Sequence, residues 1–151
     1  MSQRANLRRL LPDAYQALTA LDEAVQAAAT RAGLDPKLIE LIKLRVSQIN
    51  GCAFSTDMHS RHARKLGETE RRLYLLPVWH ETDLYSRTER AALALAEAMT
   101  RLPIARDIPD EIYNDAVSAL TERACAVLAW AITVINAYNR LGVLSRPPLP
   151  T

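Results

Sequence analysis

Apolar residues recur along this chain at the spacing of α-helices, and no stretch alternates apolar and polar residues over the length of a strand. The first long segment, about 12–32, carries one apolar face and precedes Gly33, a residue type that commonly ends helices. That face consists of Leu18, Leu21, Ala24, Val25 and Ala28. The pattern predicts an all-α protein of six or seven helices.

The second predicted helix opens at Asp35-Pro36, because Asp is a favoured N-cap and Pro is tolerated in the first turn. It is apolar on more than one side, which is typical of a helix buried in the domain or at a subunit contact. Glu40 and Lys43 lie inside this apolar stretch. An isolated buried charge is costly, so we expect Glu40 to be paired, accessible to water or functional.

Glycine, proline and capping residues divide the remainder of the chain. Asn50-Gly51 interrupts the second helix, and Ser86 with Glu89 forms a capping-box pattern. The sequence predicts further helices over about 52–66, 68–76, 86–102, 110–120 and 121–142, loops near 77–85 and 103–109, and a loose tail at 145–151.

The length and the charge both suit a single globular domain over residues 1–151, with its core at about 15–142. The chain has 151 residues and a formal net charge of +2. Nucleic-acid binding requires a concentrated basic face, so we interpret the two local basic clusters as solvated surface and expect no nucleic-acid partner. The clusters are Arg4, Arg8 and Arg9, and Arg61, Arg64 and Lys65.

The same reasoning bears on location. No apolar run approaches the ~20 residues of a membrane span, and the first residues lack the long apolar core of a secretory signal. The two cysteines, Cys52 and Cys125, are far apart in sequence, and a disulfide scaffold is not expected at this size and composition. We therefore expect a cytoplasmic protein without a membrane partner.

The candidate chemistry is concentrated around the third helix. Cys52 lies near its N-terminus, where unpaired N–H groups and the helix dipole favour a thiolate. Ser55 shares its face three residues on, and His59 follows at a further four, within reach of Ser55. Glu40 belongs to the preceding helix, and spacing alone does not bring it to the site. A purely structural reading stays open, with Cys52 in the core, Ser55 as a cap and His59 as a satisfied polar group.

This window resembles the AhpD-type alkylhydroperoxidases of the carboxymuconolactone decarboxylase superfamily. Their motif is a glutamate, eleven residues, then Cys-x-x-Cys-x-x-x-His, and Glu40, Cys52 and His59 have that spacing. The likeness extends over about residues 15–142, including "SRTERAALALAEAMT" and "VINAYNRLG". It implies an AhpD-like helical fold assembled as a homo-trimer or homo-hexamer. The resemblance also implies that the second cysteine attacks the peroxide, the first resolves the sulfenic acid, and Glu40 and His59 relay protons. Apart from the resemblance, we expect no cofactor and no metal.

One departure from the motif changes what the resemblance implies. Ser55 stands where the family has its second cysteine, and a hydroxyl is a poor nucleophile toward peroxide. Cys125 shares an apolar stripe of the last helix, so we expect it in the core rather than as a replacement.

Four readings stay open. Cys52 alone reduces hydroperoxides and is resolved by an external thiol, or Glu40 and His59 act as acid and base on a lactone acid. Alternatively, the site is inactive within a helical assembly, or serine was introduced at position 55 by construction.

Two further constellations carry little weight. Ser55, His59 and Glu40 have the residue types of a nucleophilic triad, but no nucleophile elbow or oxyanion hole is readable. Cys52, His59 and His62 have the spacing C-x6-H-x2-H, which is not a usual zinc pattern. We therefore interpret His62 as a surface residue of the third helix.

Overall fold

The computed structural model describes residues 3–151 as a bundle of α-helices without a β-strand in that range. The elements are α1 (Leu7–Leu10), α2 (Pro12–Arg31), α3 (Pro36–Asn50), α4 (Ala53–Lys65), α5 (Glu70–Leu75), a 3-10 helix (Leu76–Glu81), α6 (Arg87–Thr100), α7 (Leu102–Ala105), α8 (Asp110–Leu120) and α9 (Glu122–Ser145). The all-α prediction is confirmed. The seven long predicted helices correspond to α2, α3, α4, α5, α6, α8 and α9.

The helix count of six or seven was too low, because α1 and α7 are single turns of four residues each. One turn is too short to show a hydrophobic period. The expected loop after position 76 contains the 3-10 helix, and α7 forms inside the expected loop near 103–109 with Pro103 in its first turn.

The core lies where α3 packs between α9, α4 and α6. Leu41, Ile42 and Leu44 of α3 are almost completely buried, as are Leu128 and Ile132 of α9. This explains why α3 is apolar on more than one side, since it contacts helices in several directions. Helix α2 covers α9, and α8 covers α6.

Within residues 3–151, one helix, α9, is long and apolar enough by composition to cross a membrane, with a mean hydropathy of 1.3 over its most apolar window. This finding corrects the expectation from sequence that no apolar run approaches the length of a membrane span. In the fold α9 packs against α2, α3, α4, α6 and α8, and these contacts bury about a third of its apolar window.

A buried amide network joins the end of α3 to α9. The Asn139 side chain is fully buried, and its Nδ2 donates to Ser47 Oγ at 3.0 Å. Asn50 Nδ2 donates to the Oδ1 atoms of Asn139 and Asn136, both at 3.0 Å. Hydrogen-bonded amides inside a core fix the register of the helices that carry them. The network therefore positions the α3–α4 turn, which carries Cys52.

Candidate active site

The turn between α3 and α4 places Cys52 at the start of α4. Gly51 adopts φ +68°, a left-handed conformation that glycine reaches without steric cost. Its N–H donates to the Gln48 carbonyl at 3.2 Å, and the Cys52 N–H donates to the Ser47 carbonyl at 3.0 Å. These two bonds form the Schellman motif that closes a helix. Cys52 then occupies the N-cap position of α4, and its side chain forms no capping hydrogen bond there.

Glu40 and His59 form the central polar contact of the site. Glu40 Oε2 lies 2.8 Å from His59 Nδ1, so the imidazole donates to the carboxylate when Nδ1 carries a proton. The His59 side chain is 7% exposed and that of Glu40 is 13% exposed, which strengthens their electrostatic interaction. The packing of α3 on α4 brings the pair together across 19 residues of sequence.

Two further basic side chains lie near the Glu40 carboxylate. Lys43 Nζ is 3.9 Å from Oε1, and His62 Nδ1 is 3.8 Å from Oε2. Burial raises the pKa of Glu40, but the hydrogen bond with His59 and the positive charges of His59, Lys43 and His62 together outweigh it. The pKa of Glu40 is therefore below its ordinary value of 4.5, and the group is a carboxylate at neutral pH.

Cys52 and Ser55 form a second pair. Cys52 Sγ lies 3.3 Å from Ser55 Oγ, and both residues are buried. The thiol donates to the hydroxyl oxygen in this arrangement, whereas a thiolate would accept from the hydroxyl. Among the described residues no hydrogen bond joins Ser55 to His59, although their spacing permits contact. The four predicted site residues thus form two pairs rather than a triad.

A cavity of about 870 Å³ lies beside these two pairs. Glu40, Ser55 and His59 line it, and of the residues described Cys52 does not. The volume lies within the range of small-molecule sites. Ser55 therefore separates the Cys52 thiol from the space that a substrate would occupy. The remaining lining residues come from the N-terminal segment, α1, α2, α3, α4, α9 and the segment after α9.

Three possible metal ligands also converge here, but not the trio considered from sequence. One ligand atom each from Glu40, His59 and His62 lies within 4.8 Å of the others, and Cys52 is not part of this group. The 2.8 Å separation of Glu40 and His59 is a hydrogen-bond distance. The His62 side chain is 47% exposed, as expected for a surface residue, yet it also faces Glu40. Because His62 follows His59 by three residues, both histidines lie on the face of α4 that contacts Glu40, and this spacing could have predicted the contact.

Helices α2 and α9 contribute site residues that no motif in the sequence indicates. Asp22 Oδ1 of α2 lies 3.7 Å from Lys43 Nζ, and Tyr15 of α2 and Tyr138 of α9 also line the cavity. No local pattern marks these residues, because they are brought to the site by helix packing. Cys125, in contrast, is buried in the core as expected, and burial raises the pKa of its thiol.

Comparison with known proteins supports a family assignment. A model of the carboxymuconolactone decarboxylase family matches residues 12–98. The uncharacterized protein YdfG of Bacillus subtilis (strain 168) is 39% identical over 143 residues, which are 95% of this chain and 94% of YdfG.

Two solved structures have the same fold. That of ATU0492 from Agrobacterium tumefaciens, a protein of unknown function proposed to be the antioxidant defence protein AhpD, has a TM-score of 0.91 and 35% identity over 99% of both chains. The apo debrominase Bmp8 has a TM-score of 0.80 at 21% identity, over 93% of this chain and 73% of that one, a likeness of fold alone. With the family match over more than half of its length and a close relative along nearly all of it, this chain belongs to the carboxymuconolactone decarboxylase family and has the AhpD-like fold.

Proposed function

We propose that this protein reduces hydroperoxides through Cys52 alone, with Glu40 and His59 relaying protons. The observation that carries the proposal is the position of the thiol. Cys52 is the N-cap residue of α4, its Sγ is 3.3 Å from Ser55 Oγ, and Ser55 lines the same cavity as the Glu40–His59 pair. The likeness to a structure proposed to be AhpD supports the same chemistry.

The reaction proceeds in three steps. Once the Ser55 hydroxyl has moved aside, the Cys52 thiolate attacks the distal oxygen of a hydroperoxide and the O–O bond breaks. The alkoxide takes a proton from the relay and leaves as an alcohol. Cys52 is then a sulfenic acid, which an external thiol converts to a mixed disulfide with loss of water. A second external thiol releases Cys52 and carries away the disulfide. Ser55 cannot resolve the sulfenic acid, so turnover depends on the external thiol and the intramolecular disulfide cycle is absent.

We infer a cytoplasmic location from this need for a thiol reductant. Both cysteines are free in the structure, consistent with a reducing compartment. The proposal requires a small-molecule hydroperoxide and a low-molecular-weight or protein thiol, and no cofactor or metal.

A second candidate function is acid–base catalysis on a lactone acid, as the family description suggests. The specific observation in its favour is that Glu40 and His59 line the cavity whereas Cys52 does not. Such a reaction would use the carboxylate and imidazole as base and acid and would not require the thiol. Loss of lactone turnover in both Glu40→Gln and His59→Gln, with full turnover in Cys52→Ser, is the expected signature.

Peroxide consumption with a dithiol reductant tests the main proposal. The protein should consume peroxide, Cys52→Ser should abolish consumption, and the control Cys125→Ser should keep it, because Cys125 lies in the core. Activity seen only in Ser55→Cys would overturn the single-thiol function and show that serine interrupts the cycle. Inactivity of all variants, including Ser55→Cys, would overturn peroxide chemistry altogether. Inertness toward lactones as well would leave a helical assembly without catalytic activity.

A further inference from the structure

The two ends of the cavity differ in exposure and in charge. Ser55 and His59, at one end, are buried. Arg4, Arg8 and Arg146, which also line the cavity, are exposed, so they mark its mouth. The remaining wall is largely apolar and carries aromatic and aliphatic side chains from α2, α4 and α9, namely Tyr15, Phe54, Met58, Val134, Ile135, Tyr138 and Leu141.

The guanidinium groups at the mouth retain unused hydrogen-bonding capacity. Arg4 Nη1 donates to the Leu144 carbonyl at 3.0 Å, and the Arg8 guanidinium lies 5.2 Å from the Tyr15 ring centroid. Among the described residues none of the three arginines forms an ion pair, although six other arginines of the chain do. A guanidinium offers five N–H donors in a fork that fits a carboxylate. The mouth is therefore suited to an anionic group.

The inner end disfavours an anion. Lys43 is buried there, but Asp22 and Glu40 lie 3.7 Å and 3.9 Å from its Nζ. The one buried ammonium at this end is therefore already flanked by two carboxylates of the protein, whereas the guanidinium groups at the mouth have none among the described residues. A bound carboxylate is attracted to the mouth, which gives an elongated ligand one orientation.

We propose that the cavity binds an apolar carboxylic acid, with its carboxylate at Arg4, Arg8 and Arg146 and its apolar body along the aromatic and aliphatic wall. The end opposite the carboxylate then lies beside Ser55, Glu40 and His59. In combination with the proposed function, the substrate is a hydroperoxide of such an acid, with the peroxide group remote from the carboxylate. This last identification rests on the proposed peroxidase function, whereas the binding of the acid does not.

Calorimetric titration with octanoate and with octan-1-ol tests the proposal, because the two probes share the apolar body and differ in charge. The protein should bind octanoate at least about tenfold more tightly, a difference of about 1.4 kcal/mol. The preference should weaken as salt is added, since exposed charges are screened. It should disappear in the triple variant Arg4→Gln, Arg8→Gln, Arg146→Gln and persist in Arg71→Gln, a control on exposed α5 that does not line the cavity.

Equal binding of acid and alcohol to the native protein, or no binding of either, would overturn the proposal. So would a preference for octanoate that survives in a triple variant whose thermal unfolding shows that it is folded. Neither probe contains a peroxide, so the titration is independent of catalysis. Octanoate binding by a protein that fails to consume any hydroperoxide would contradict the proposed function and leave the binding site standing.

Discussion

The Cys52 thiol occupies the space into which a side chain at position 142 would project. A β-carbon on Gly142 would stand 2.8 Å from Cys52 Sγ, closer than non-bonded atoms approach. The absence of a side chain therefore lets α9 pack directly against the thiol. The sequence pattern predicts that the last helix ends at Gly142, and this prediction is wrong. Gly142 lies inside α9, which continues to Ser145 and ends where Arg146 adopts φ +49°.

This relationship predicts that Gly142→Ala destabilises the protein only while Cys52 is present. Alanine favours a helix interior over glycine by about 1 kcal/mol, but here its methyl group would displace Sγ. In a Cys52→Ala background the obstruction is gone, and the same change should stabilise the protein by up to about 1 kcal/mol. Urea unfolding of the four proteins in a double-mutant cycle measures the coupling. An effect of the same sign and size in both backgrounds would contradict the contact.

Ser55→Cys should restore a disulfide to the site. Cys52 Sγ and Ser55 Oγ are already 3.3 Å apart, so a small adjustment brings two sulfurs to bonding distance. Alkylation and mass spectrometry should count three thiols in the reduced variant and one, Cys125, after mild oxidation. Ser60→Cys is the matched control, because position 60 lies about 12 Å from Cys52 along the α4 axis, too far for a disulfide. Three thiols remaining in oxidised Ser55→Cys would show that the pair is held apart.

The charge of Glu40 should contribute to stability in a pH-dependent manner. Its pKa in the folded protein is below the ordinary value of 4.5, so the contribution is present above that pH and is lost as the pH falls through the lowered pKa. Glu40→Gln should therefore lower the free energy of unfolding at about pH 7. The difference in this free energy between the variant and the native protein should shrink below about pH 4.5. Urea unfolding across this range measures it. Glu23→Gln, an exposed control on α2, should show little difference at either pH, and a gap for Glu40→Gln that grows in acid would refute the assignment.

The chain should form a homo-trimer or homo-hexamer, as the family resemblance implies. Trp130 of α9 is 56% exposed and borders a largely apolar groove with Leu21 of α2, a surface that water solvates poorly. Light scattering at micromolar concentration should report the oligomer, and Trp130→Glu should lower its mass. Tyr74→Glu, at another exposed aromatic residue, is the control. A monomeric native protein would exclude the assembly.

Local features of the sequence determined the helices and part of the site. Capping by Asp35, the left-handed turn at Gly51 and the capping box of Ser86 with Glu89 all act within a few residues, so they can be recognised from spacing. The Cys52–Ser55 pair is also local, because residues three apart share a helix face. The same rule does not ensure a bond, as Ser55 and His59 show.

Only the tertiary structure decided which distant groups meet. Glu40 reaches His59 because α3 packs on α4, Asp22 reaches Lys43 because α2 joins the same wall, and Arg4 reaches Leu144 across 140 residues. The close approach of Gly142 to the Cys52 thiol likewise joins two residues that are far apart in sequence. Helix propensity and caps are set by neighbours along the chain, whereas these contacts follow from how the apolar faces are buried against one another. The sequence therefore determined the helices and the reactive residue types, and the packing decided that a serine, rather than the remaining cysteine, lines the cavity.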